Sequence, residues 1–190
     1  MTPNVRRELI PRDDALDLIR ALNAMKEEAH TAAHTWELLN EDGQVPAAPP
    51  YTVLLQHAAG AQDLSRGILR ITSDFAHSPH HTTRVGSNVL AKLAWATTTS
   101  SNAAPQFAET AEYAPSLPRS TSPADRNHIT TKMVFSHATG RAHLRRTSAS
   151  LRMAAEQLAD HLGFQRFLTQ LTPQEGPPTP PPPRPSSRNR

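Results

Sequence analysis

The sequence predicts an all-α protein: an antiparallel bundle of about four long helices followed by a disordered proline-rich tail. Three observations carry this. Near the start, apolar residues recur in unbroken steps of three and four over roughly 27 residues. They run from Ala15 through Leu18, Leu22, Met25, Ala29, Ala32 and Trp36 to Leu39. Strand signals are nearly absent, because no run alternates apolar and polar residues over a strand's length. The Asp42-Gly43 pair lies between helix-type stretches and reads as a loop. Finally, residues 173–190 (PQEGPPTPPPPRPSSRNR) hold eight of the 18 prolines and no apolar anchor. Proline supplies no backbone donor, and such a segment buries too little surface to offset its ordering entropy. The expected organisation is a bundle domain over 1–172 and a tail over 173–190 with polyproline II character.

Each helix has its own boundary signals. Asp13 or Asp14 is the expected cap of the first helix, and the Gly43 and proline content of residues 41–50 ends it. The second helix is expected from Tyr51 to His77. Tyr51, Leu54, Ala58, Ala61, Leu64, Ile68, Ile71 and Phe75 follow its inner face. Gly60 and Gly67 share a side of it. Glycine lowers helix propensity by roughly 1 kcal/mol, so close approach of another helix is the expected reason for both. A third, shorter helix is expected over Arg84–Thr98, with Val85, Val89, Leu93 and Ala96 inward and Trp95 on a flank.

Residues 97–121 are the least regular part of the body. Pro105 can open a short helix through Phe107, Ala108 and Ala111, which Pro115 and Pro118 end. A connection of this length marks a functional or mobile loop. The fourth long helix starts cleanly with Ser122 as cap, Pro123 at the first position and Asp125 in the first turn. It runs on to Leu162, about 40 residues or roughly 60 Å. Val134, Ala138, Leu144, Leu151, Ala155, Leu158 and Leu162 are its expected inner face, with Gly140 a point of bending. Gly163 is expected to end it, and Phe164–Leu171 to fold back over one end of the bundle.

Composition excludes several functions. There is no cysteine, which removes disulfides, thiolate nucleophiles, cysteine zinc sites and iron–sulfur clusters. Glycine loops of the Gly-x-Gly-x-x-Gly or P-loop kind are missing, as is a Gly-x-Ser-x-Gly elbow, so kinase, ATPase, Rossmann and serine-hydrolase readings rank low. No apolar run approaches a membrane span and the N-terminus has no signal-like apolar core, so a cytoplasmic protein without membrane contact is expected.

Charge is the feature that points somewhere. The chain is +3 overall. Residues 1–78 hold 7 bases and 11 acids, whereas 79–190 hold 13 bases and 6 acids. The first helix is therefore acidic and the fourth basic. On the fourth, Arg141, Arg145 and Arg152 fall within about 40° of one another and form a stripe roughly 16 Å long, beside the apolar face. Such a stripe can track nucleic-acid phosphates. Pairing of Arg152 with Glu156, or of the stripe with the acidic first helix, is the plainer use of the same charges.

The ten histidines raise a metal alternative. His30 and His34 are one helical turn apart, and Glu27-x-x-His30 has the spacing of carboxylate-bridged bundles. On the helical wheel both histidines lie well round from the seam, on the expected solvent face. His77, His80 and His81 cluster around Pro79 in a loop. The proline run Pro180–Pro183 with Arg184 has the character of a ligand for an aromatic groove, without the stricter spacing of such ligands. The expected function is that of a non-enzymatic accessory or adaptor protein acting through its surface. It needs no cofactor and contacts either nucleic acid, through Arg141, Arg145 and Arg152, or a protein partner. A metal-dependent bundle enzyme built on histidines such as His30 and His34, and a homodimeric scaffold, stand as the alternatives.

Overall fold

The computed structural model describes residues 9–171; the tail expected over 173–190 lies outside the described residues. All regular structure among the described residues is helical. It comprises α1 (Arg12–Thr35), α2 (Tyr51–His77), α3 (Arg84–Ser101), α4 (Ala103–Tyr113) and α5 (Pro123–Leu171), with 3-10 turns at Pro79–Thr82 and Ala114–Ser116. No helix among these residues is long and apolar enough to cross a membrane.

α5 is the spine. α1, α3 and α4 all pack against it, and α2 closes the far side against α3, α4 and, more lightly, α1. Cross-helix hydrogen bonds give the directions. The Ser148 hydroxyl donates to the Lys26 carbonyl, and Arg141 to the carbonyl of Ala33. Numbers rise on α1 as they fall on α5, so the two are antiparallel. The bond from Ser150 to the Lys92 carbonyl and the Thr99–Thr147 hydroxyl pair make α3 antiparallel to α5 by the same test. Ser65–Ser101 and Thr72–Thr97 do so for α2 and α3.

The core is narrow and built from small residues. Ala15, Leu22, Ala29 and Ala33 of α1 meet Leu144, Leu151, Ala154 and Leu158 of α5, with Leu64, Ile68, Val89 and Leu93 completing the cluster. Close approach makes room for the few aromatic rings. A Cβ at Gly60 would stand 3.0 Å from the Trp36 ring, and one at Gly67 would stand 3.1 Å from the Met25 sulfur. Gly67 thus serves the close helix contact expected of it, whereas Gly60 makes room for the ring of Trp36, which lies just past the end of α1. Gly86 is tighter still: a Cβ there would fall on the His80 carbonyl, and its N–H bonds to the hydroxyl of Thr83, which caps α3.

Several expectations are corrected. α1 is entered through Pro11, with Asp13 and Asp14 inside its first turn, where their charge favours the helix dipole; neither acts as the cap. The seam does not stay helical to Leu39. α1 stops at Thr35, Trp36 turns extended, and Leu38, not Leu39, is buried. Tyr51 is exposed at the mouth of α2. The 97–121 stretch is mostly helix: α3 continues to Ser101 and α4 follows at once. Pro105 has no N–H to offer the Ser101 carbonyl, and this separates the two helices at Asn102.

On α5, Val134 and Ala138 are exposed. The inner face there is Met133, Ser136, His137 and Gly140, where a Cβ at Gly140 would come 3.0 Å from the Phe107 ring. Small and polar residues fill this face, so apolar periodicity does not mark it. The helix also ignores Gly163. Phe164–Leu171 extend it in the same direction and do not fold back, and Phe164 and Phe167 are half-exposed.

Candidate functional site

The antiparallel match of α1 and α5 sets Arg145 level with the turn that carries His30. Between these helices lies a groove of about 420 Å³. Lys26, Glu27, His30 and His34 form one wall, and Arg145, Ser148, Ala149 and Arg152 form the other. Two of the three stripe arginines, Arg145 and Arg152, therefore meet the His30–His34 pair in one place, whereas Arg141 lines a neighbouring groove beside Glu37–Glu41. The histidines are exposed, as expected, with ring centroids 4.3 Å apart.

The three arginines are not equivalent. Arg141 is half-buried; its Nε donates to the Ala33 carbonyl at 2.7 Å and Nη2 to that of His34. These are orphan carbonyls at the end of α1, where the helix dipole is negative, so Arg141 closes that helix. Arg152 pairs with Glu156 on the next turn at 3.1 Å. Arg145 is exposed and makes no hydrogen bond or ion pair among the described residues. On the opposite wall Lys26 pairs with Glu27 at 2.9 Å, and its hydrogen bond and charge hold the Glu27 carboxyl below the usual range. The groove thus offers one uncompensated guanidinium, two imidazoles and two cations held in ion pairs, Arg152 in an exposed one and Lys26 in a half-buried one. Exposed ion pairs are weak and exchange partners easily. Among the described residues no three His, Asp or Glu side chains converge to hold a metal ion.

A second cluster is interior. His57 stacks on Trp36 with centroids 4.9 Å apart, and Phe107 stands edge-on to Trp36 and to His137. His57 and His137 are buried, and His57 Nδ1 and His137 Nε2 find no hydrogen-bond partner in the protein. Burial pushes the His137 imidazole down to about 4, helped by His57 and Arg141, and lowers His57 as well. Both rings are neutral at pH 7 and act as aromatic filling. Sequence reasoning had missed this pair; the available signal was His57 midway between Leu54 and Ala61, on the apolar face of α2. It had also missed Lys26, one of only three lysines in the chain and the one set in an acidic helix.

Comparison of the chain with family models, with curated proteins and with solved structures found no match.

Proposed function

We propose that the protein is a non-enzymatic adaptor that contacts nucleic-acid phosphates through the groove between α1 and α5. The observation that supports this is Arg145: an exposed guanidinium with no internal partner, flanked by two imidazoles, Lys26 and Arg152 in one groove. A phosphate entering there would meet donors from both walls, and charge-assisted bonds to phosphate are the stronger kind. The groove carries no aromatic side chain other than the imidazoles, so recognition rests on the backbone of the nucleic acid and tolerates sequence. The same reading takes the bundle as a rigid cytoplasmic scaffold that needs no cofactor.

Electrophoretic shifts on duplex DNA and on RNA at low and moderate salt test this. Binding is expected to be sequence-tolerant and to weaken steeply with salt. Changing Arg145 and Arg152 to Gln should flatten the salt slope on duplex DNA by about one unit per lost phosphate contact. No shift at low salt with the unaltered protein, or an unchanged slope in the double variant, defeats the proposal.

A further inference from the structure

A second groove, away from the arginines, has the opposite electrostatic character. It lies where the start of α1 meets the end of α2 and measures about 570 Å³. Leu18, Ala21, Ile71 and Phe75 make an apolar floor. Asp14, Asp17 and Asp74 rim it. Asp14 is engaged by the His80 ring at 3.0 Å and Asp17 by Arg20. Asp74 is exposed and has no partner among the described residues. In a chain of net charge +3, this is an acidic mouth over an apolar floor.

Chain geometry brings one particular segment to it. Ile10 lines the groove; its N–H donates to His161 Nε2 at 3.1 Å, and its carbonyl accepts from Gln165 Nε2 at 2.7 Å. The end of α5 and the groove are therefore at the same end of the molecule. From Gln165 to the last turn of α5 is about 9 Å at 1.5 Å per residue. The chain then continues with Pro173, Gln174, Glu175 and Gly176, followed by PPTPPPPR at 177–184. The linker between the end of α5 and the proline run is residues 172–176, which span roughly 15 Å if extended, against the about 9 Å by which α5 runs on past Gln165, so a turn at Gly176 brings the run back to the Ile10 side of the groove. The segment has the matching chemistry: a proline run with Arg184 behind it and Arg188 and Arg190 beyond. Prolines dock on apolar grooves at little entropic cost because their φ is already fixed, and an arginine next to the run reads an acidic rim.

We propose that residues 177–184 dock in this groove of their own chain, prolines over Leu18, Ile71 and Phe75 and Arg184 against Asp74. The contact is a built-in strap between the end of α5 and the α1–α2 corner, independent of the phosphate groove.

The absence of cysteine makes the test clean. A nitroxide is placed on full-length protein through Ser187→Cys, and paramagnetic broadening of backbone amides is read by NMR. The expected result is selective broadening of Leu18, Ala21, Ile71 and Phe75, unchanged when the tagged, isotope-labelled protein is diluted into excess untagged, unlabelled protein. Asp74→Arg, an exposed substitution, should abolish it, and Asp74→Arg combined with Arg184→Asp should restore it. No broadening at these amides overturns the proposal. So does broadening that dilution removes, since the occupant is then a second copy, and so does broadening that Asp74→Arg leaves intact or that the charge exchange does not restore.

Discussion

Gly140 and Gly163 occupy the same helix and should respond to alanine with opposite signs. Each substitution removes the entropic penalty of a helical glycine, about 1 kcal/mol. At Gly163 a Cβ meets nothing within 4 Å, so Gly163→Ala is expected to stabilise by a few tenths to about 1 kcal/mol. At Gly140 the new Cβ would stand 3.0 Å from Phe107, whose ring is almost fully buried against Trp36 and His137 and has nowhere to go. Overpacking of that kind costs about 1–3 kcal/mol, enough to outweigh the gain. Chemical denaturation of both variants checks the pair. Equal stabilisation of the two would mean that Phe107 moves freely.

At the scale of the element, α1 depends on a residue more than a hundred positions away. The helix ends at Thr35, and its last carbonyls are satisfied by Arg141 of α5. Arg141→Gln should therefore lower stability by about 1.5–3 kcal/mol, the range for a hydrogen bond from a charged group, while leaving any phosphate binding nearly intact. Arg145→Gln should do the reverse, because that side chain supports nothing in the fold. Melting curves run beside binding assays separate the two roles. A binding defect in Arg141→Gln with unchanged stability would show that its bonds to Ala33 and His34 open in solution.

For the molecule as a whole, the buried histidines set the response to acid. Folding depresses His137 from the ordinary value of 6.5 to about 4, and depresses His57 in the same direction, both mainly through burial. Between those values the unfolded chain binds more protons than the folded one, so stability falls as pH falls. It is fully present above about 6.5 and is lost progressively toward 4. A shift of this size in His137 corresponds to roughly 3 kcal/mol at most. Thermal melts from pH 7.5 to 4.5 should show this decline, and His137→Phe should make it shallower. An identical pH profile in that variant would place the acid sensitivity elsewhere. The geometry suits such a response: His57, Phe107 and His137 join α2, α4 and α5, with Trp36 from the segment that follows α1, and charging one ring loads three helices at once.

By itself the sequence determined the helical class, the limits of α2, the start of α5 and the outward place of His30 and His34. These follow from local chemistry: 3.6-residue periodicity, prolines at helix starts and the near absence of alternating runs. Packing settled the features for which the chain carries no local signal. Met133, Ser136, His137 and Gly140 form an inner face because α4 comes close enough for a glycine and a serine to be the right sizes, whereas an apolar count selects Val134 and Ala138. Trp36 leaves the seam because α1 is capped from α5. Arg141, Arg145 and Arg152 look alike on a helical wheel, yet one closes a helix, one pairs with Glu156 and one faces the groove unpaired. Their distinct roles depend on which backbone or acid stands across the gap, and that is fixed by the packing register of α1 on α5, a relation between residues more than a hundred positions apart.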